Sequence, residues 1–256
     1  MVEAIILGSG TCVPSLRRAG PAACLKANGR TLLIDSASGT LRQLLKAGIP
    51  YDMVDYILYT HRHPDHVGEL VPYIFATKYA PGFSRIKPVT IFAGEGFKDF
   101  FSTLQKAFGE WLNVSEDRIL FEELPVNMAA ALQLPPLTIR SAPTRHTPHS
   151  LAYRIETATG EGVVFSGDTD FSEELIELAQ DCDLLVCECA APEGMKIEGH
   201  LTPSEAGRIA ALAKAKRLIL THFYPECDKH DILTPCQKEY DGPIILAEDL
   251  MRIVLP

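Results

Sequence analysis

Short apolar runs punctuated by Gly, Pro or Asp recur along the whole chain: EAIILG, TLLID, DYILYT, PVTIFA, RILFEEL, LTIRSAP, LAYRIE, GVVFSGD, DLLVCE, RLILTH and MRIVL. Their length and their β-branched and aromatic content predict strands. Between them the pattern predicts helices over 38–47, 68–80, 94–108, 172–180 and 203–215. The last has the clearest start: Thr202 suits a cap, Pro203 the first helical position, and Glu205 completes a capping box. Strands with interleaved helices imply an α/β fold in which two mixed sheets are sandwiched between helices, an αββα layering. No low-complexity stretch, long charge run or repeat marks a linker, so the expectation is one continuous domain over 1–256.

Composition narrows this picture. With 46% hydrophobic and 22% charged residues the chain is too apolar to be disordered and long enough to bury a large core. No run approaches the roughly 18 apolar residues of a membrane helix, and MVEAIILGSG reads as a first strand and not as a signal, so a cytoplasmic protein is expected. Seven cysteines, an odd and scattered count, suit a reducing compartment. Cys187 and Cys189 end the run Leu184–Val186, where buried thiols are ordinary packing residues and not metal ligands. The net charge of −9 opposes long-range attraction to a polyanion.

The candidate chemistry is concentrated in YTHRHPDHVG, which follows the strand DYILYT. Three of the eight histidines, His61, His63 and His66, fall within six positions here, with Asp65 between them. Imidazole is the commonest protein ligand for zinc, and a carboxylate adds a hard, charge-neutralising oxygen. On an extended loop His61 and His63 point the same way, whereas Asp65 and His66 turn towards a second position. Four such residues do not close two metal sites, and further ligand types stand where apolar runs meet loops: His146, Asp168 and His222. Taken singly each is an ordinary surface or core residue; together they fit one constellation.

At this point the chain resembles the metallo-β-lactamase superfamily, whose H-x-H-x-D-H motif is matched by His61, His63, Asp65 and His66. Within it the resemblance is to ribonuclease Z-like enzymes, through LGSGTCVPS, LLIDSASGT with Asp35, the His146 segment running into SLAYRI, SGDT with Asp168, CECA with Glu188, GHLTPSEAG with His200, and LTHFYP with His222. The resemblance implies a four-layer αβ/βα fold and two divalent metal ions, zinc before Mn²⁺ or Fe²⁺. One would be held by His61, His63 and His146, the other by Asp65, His66 and His222, with Asp168 bridging. Two cations so placed deprotonate a water between them and clamp developing negative charge. It also implies that Asp65 serves as base as well as ligand, and that His200, backed by Glu188, donates a proton to the leaving oxygen. Asp35 is expected to fix a ligand histidine or a neighbouring loop without being a ligand itself. His149 and His230 match no ligand position.

Ribonuclease Z enzymes that mature tRNA generally carry a long arm between the positions matching His146 and Asp168. Here only residues 147–167 lie between them, and YRIETATGEGVVF reads as a tight hairpin. With the acidic net charge this disfavours tRNA and favours a small-molecule or nucleotide substrate. The segment 81–135 carries Trp111 and a helical stripe of Phe97, Phe100, Phe101, Leu104 and Phe108. It is a candidate for substrate cover, and the stripe for core or a homodimer face. Three functions follow: a phosphodiesterase acting on a nucleotide or short nucleic-acid end, a hydrolase of a carboxylic ester, lactone or thioester, and a non-catalytic metal-binding sensor. Retention of Asp65 with every histidine disfavours the last.

Overall fold

Along the first strand, β1 (Val2–Gly8), Val2, Ala4 and Ile6 enter one apolar cluster while Ile5 and Leu7 enter another. A strand apolar on both faces belongs inside a layered structure. The computed structural model describes residues 1–79, 88–115 and 117–255, so position 80 of the expected 68–80 helix and residues 81–87 of the aromatic segment lie outside the described residues. After β1, the strands β2 (Ala22–Ala27), β3 (Arg30–Ile34), β4 (Tyr56–Leu58), β5 (Val89–Gly94) and β6 (Ile119–Leu124) complete most of one sheet. A second sheet comprises β7 (Ala130–Leu134), β8 (Leu137–Pro143), β9 (Leu151–Thr157), β10 (Gly162–Phe165), β11 (Leu184–Glu188), β12 (Leu218–Thr221) and β13 (Ile244–Leu246). The last strand, β14 (Met251–Leu255), returns to pair with β1.

Both sheets are mixed. β14, β1, β2 and β3 pair antiparallel before β3 to β6 run parallel. β7 to β10 pair antiparallel before β10 to β13 run parallel. The outer face of the first sheet is covered by α1 (Thr40–Lys46), by α3 (Leu70–Tyr79), which follows the single turn α2 (Pro64–Val67), and by α4 (Phe97–Phe108). Leu44, Leu70, Ile74, Phe97 and Phe101 of these helices share a cluster with Ile5, Leu33 and Ile57. The second sheet is covered by α5 (Glu173–Leu178), α6 (Pro203–Leu212) and α7 (Leu233–Gln237), through Leu175, Ala206, Ile209 and Cys236. That cluster also contains the residues between the sheets, among them Ile6, Leu25, Leu58, Tyr153, Phe165 and Val186. Four layers result, helix, sheet, sheet and helix, as the alternation of runs implied.

Each expected helix is present. At α6 the Glu205 carboxylate accepts the Thr202 backbone N–H at 2.9 Å, completing the capping box. Phe97 and Phe101 are buried core, whereas Phe108 and Trp111 are exposed, so the aromatic stripe serves packing first. Cys187 and Cys189 are fully buried core residues. Three strands were not expected. β2 (AACLKA) is poor in β-branched residues, β7 (AALQL) is a half-exposed edge strand, and β13 (IIL) is too short to form a pattern. Among the described residues no helix is long and apolar enough to cross a membrane.

Candidate metal centre

The parallel strands of both sheets point their C-terminal ends at one edge, and that edge carries the chemistry. β3 is followed by Asp35, β4 by Thr60 and His61, β10 by Asp168 and β12 by His222, while β11 ends at Glu188. Ligand crevices form in α/β sheets at such ends because the loops there are held by a rigid frame. Tyr153 of β9 donates through its hydroxyl to the Tyr59 carbonyl at 2.8 Å, tying the two sheets together just below the histidine loop.

All seven residues expected as ligands converge. Donor atoms of His61, His63, His146 and Asp168 lie within 4.8 Å of one another, as do those of Asp65, His66 and His222. The Asp168 carboxylate joins the sets: Oδ2 is 3.7 Å from His61 Nε2, 3.3 Å from His66 Nε2 and 3.7 Å from His146 Nε2, and Oδ1 is 3.3 Å from His222 Nε2. Asp65 Oδ2 stands 3.8 Å from His222 Nε2 and 3.9 Å from His66 Nε2. Burial and the neighbouring His66 hold the His61 ring neutral. Burial raises the Asp168 carboxyl, yet His222 and His66 outweigh it and keep the group well below the usual carboxylate range.

The donor set fits divalent cations. Nε2 of His61, His66 and His222 is buried and has no hydrogen-bond partner. A buried polar atom left unpaired costs about 1–3 kcal/mol, and three at one point are hard to account for except as lone pairs aimed at a ligand. The rings are also held from behind. His66 Nδ1 lies 2.9 Å from Asp35 Oδ2, and Asp35 is itself bonded by the Thr60 N–H and hydroxyl at 2.8 Å each. His146 Nδ1 meets the Gly199 carbonyl at 3.0 Å. A ring that donates through Nδ1 presents Nε2 as an electron pair, the form a metal requires. Asp35 thus takes the supporting place expected of it.

Glu188 and His200 sit beside this cluster. Glu188 accepts the backbone N–H groups of Thr169, Ala190 and Leu201 at 2.8, 3.2 and 3.1 Å, and its Oε1 is 2.9 Å from His200 Nδ1. Burial pulls the His200 pKa down, but the hydrogen bond and charge of Glu188 carry it above the ordinary value. The His200 ring stacks near His222, with centroids 5.5 Å apart. His200 also has a donor atom close to Asp168 and His222, so it faces the same space as the ligand candidates.

Backbone strain accompanies the site. Asp35 and His222 are left-handed, with φ of 56° and 60°, a conformation that costs a residue with a side chain roughly 1–2 kcal/mol. Before Asp168, Gly167 has φ 58°, and a Cβ there would lie 2.8 Å from Thr60 Cβ, so glycine alone lets that turn close on the residue supporting Asp35. Tyr224 is a neighbour that sequence reasoning passed over: its ring centroid is 6.3 Å from both His200 and His222, and its hydroxyl is 3.7 Å from Cys12 Sγ. Its only sequence signal is that it lies two residues past His222. His230 is exposed, with Nδ1 2.9 Å from the Glu226 carbonyl, and takes no part.

Comparison with known proteins agrees with this geometry. A ribonuclease Z from Mycobacterium sp. (strain KMS) is 28% identical over 275 residues, an alignment covering 99% of this chain and 96% of the relative. The metallo-β-lactamase fold protein YhfI from Bacillus subtilis superposes with a TM-score of 0.84 at 22% identity, covering 98% of both chains. Human tRNase Z, short form, gives 0.81 at 23% identity over 99% of both. At these identities the two structures establish the fold. The family model described as a beta-lactamase superfamily domain matches residues 30–223, and with that match the chain belongs to the metallo-β-lactamase superfamily.

Proposed function

We propose that this chain, a metal-dependent hydrolase, is a dinuclear phosphodiesterase acting on a nucleotide or a short nucleic-acid end. The observation that carries the reading is the Asp168 carboxylate, whose two oxygens face different histidine sets with unpartnered buried nitrogens. His61, His63 and His146 would hold one divalent cation and Asp65, His66 and His222 the other, with Asp168 shared. The nitrogen-rich donors suit zinc first, with Mn²⁺ or Fe²⁺ as alternatives. Divalent cations bound there supply Lewis acidity toward a phosphoryl oxygen and make water acidic enough to act as a nucleophile at neutral pH.

The chain's own groups supply orientation and proton transfer. Asp65, partly buried at the mouth, orients the attacking water and takes its proton. His200 has Nδ1 committed to Glu188, so its Nε2 is the nitrogen free to deliver a proton to the leaving oxygen. Glu188, held by three backbone N–H groups, cannot swing away and stabilises the cationic imidazole. It is a positioning residue in this scheme.

Small substrates are favoured over tRNA for two reasons. β9 and β10 pair from Gly162↔Glu156, with residues 158–161 between the strands, which leaves no arm at that position, and the net charge is −9. Turnover of bis-p-nitrophenyl phosphate and of p-nitrophenyl butyrate, side by side, tests the proposal. Chelator-sensitive hydrolysis of the phosphodiester is expected. Turnover of the ester alone would replace the reading with a carboxylic ester hydrolase, and a metal-loaded protein inert to both would point to the sensor.

A further inference from the structure

Residues 9–21 join β1 to its antiparallel neighbour β2, and a connection of this length between paired strands usually serves a site. The loop is pinned at its base. Ala19 N–H donates to Asp249 Oδ2 at 2.7 Å, and Gly10 N–H to the Ala19 carbonyl at 2.8 Å. The buried Arg18 guanidinium commits Nε and Nη2 to Asp228 Oδ1, and Nη1 to Ser9 Oγ and the Ala247 carbonyl. Ala37, in the loop after β3, closes against this loop: its N–H donates to the Pro21 carbonyl at 3.3 Å, and a Cβ on Gly20 would lie 2.6 Å from Ala37 Cβ. Only glycine allows that approach. Between the two loops is a cavity of about 450 Å³ that reaches Pro64 and Asp65.

Asp65 is at once a wall of this cavity and a member of the second ligand set, so a group attached to phosphorus at the cations enters it directly. Cys12, on the same loop, has Sγ 3.7 Å from the Tyr224 hydroxyl, and the Tyr224 ring borders His200 and His222. The volume is that of a small-ligand pocket. Its lining holds one carboxylate, Asp65, and one cation, Arg18, which is already paired with Asp228. A second phosphate would therefore lose its hydration with no free cation to offset the loss. An uncharged group meets better partners. The Thr11 and Ser15 hydroxyl oxygens accept the N–H groups of Val13, Arg17 and Arg18, so each O–H proton lacks an acceptor among the described residues, as does that of the exposed Ser38. Val13 and Pro14 add apolar surface beside them. We infer that the cavity is the subsite for an uncharged nucleoside attached to the scissile phosphate, the spare hydroxyls serving its sugar. This rests on the phosphodiesterase reading and narrows it to substrates with a nucleoside directly on the cleaved diester.

The test uses the metal-loaded full chain and two diesters with the same leaving group, thymidine 5′-(p-nitrophenyl phosphate) and methyl p-nitrophenyl phosphate. The nucleoside diester is expected to be favoured by about tenfold or more in kcat/KM, the scale of one or two hydrogen bonds. Ser38→Trp and Val13→Trp, which fill the cavity from either loop, should bring that ratio towards one. No preference in the wild type, or a preference that survives both substitutions, overturns the subsite. Cys12 supplies a readout free of turnover, because it is the one exposed cysteine of the seven. Its alkylation by iodoacetamide, followed by mass spectrometry, should be slowed several-fold by thymidine 5′-monophosphate and not by inorganic phosphate, which is too small to fill the cavity. Equal rates with the two overturn the subsite whatever the kinetics. If neither diester is cleaved while the nucleotide still protects Cys12, the phosphodiesterase reading alone fails.

Discussion

Two carboxylate–histidine pairs stand at the edge where the sheets meet, and they differ in what surrounds them. Asp35 faces His66 Nδ1 and Glu188 faces His200 Nδ1, each at 2.9 Å. Behind the first pair are Thr60 donors, and ahead of it His66 Nε2 is buried, unpartnered and 3.3 Å from Asp168. Behind the second are three backbone N–H groups, and its histidine has no carboxylate beyond Glu188 within ion-pair distance among the described residues. On the proposed reading one contact serves two chemistries. The imidazole with Asp168 at ion-pair distance ahead of it would act as an electron-pair donor to a cation, and the one with Asp168 farther off would carry a proton.

Substitutions that break either pair sharpen the contrast. The largest effect is expected from His200→Ala assayed on a diester with an aliphatic alcohol leaving group, where loss of the proton donor should lower kcat by about 10²–10⁴-fold. The same variant should lose far less with p-nitrophenolate, which departs without a proton, and equal losses on both substrates would contradict the assignment. Asp35→Asn should act through metal retention, weakening affinity by about 10–100-fold as other outer carboxylates do. Asparagine tolerates the left-handed backbone at this position, so a change in metal affinity measured by chelator competition, with little change in Tm, would locate the effect in the His66 contact. The smallest effect is expected outside the site. Thr202→Ala removes the α6 cap and should cost about 1 kcal/mol, a Tm decrease of roughly 2–4 °C by calorimetry.

What the sequence made legible depends on how local each signal is. His61, His63, Asp65 and His66 were readable because they crowd into one loop, and His146, Asp168 and His222 because each follows an apolar run that proved to be a strand. The layering was readable for the same reason, since uninterrupted runs such as LLVCE become strands buried on both faces. β2 and β7 were not, because Ala-rich segments acquire strand geometry only from their neighbours: Cys24 against Leu33 in one case, Leu132 against Ile139 in the other. Tyr224 carried no periodic signal, and the approach of Arg62 to His149 exists only because the loops after β4 and β8 meet at Gly96, in the loop after β5. Close approaches between distant loops have no signature in one sequence.

The central claim is that Asp168 is shared between two cation sites. Elemental analysis of wild type and Asp168→Ala, each purified, metal-loaded and desalted in parallel, tests it most directly. The account predicts about two metals per chain in the wild type, with chelator-sensitive turnover of bis-p-nitrophenyl phosphate, and loss of both metal and turnover in the variant. A wild type that takes up no metal under any loading condition, or a variant that keeps both ions and its activity, would contradict it.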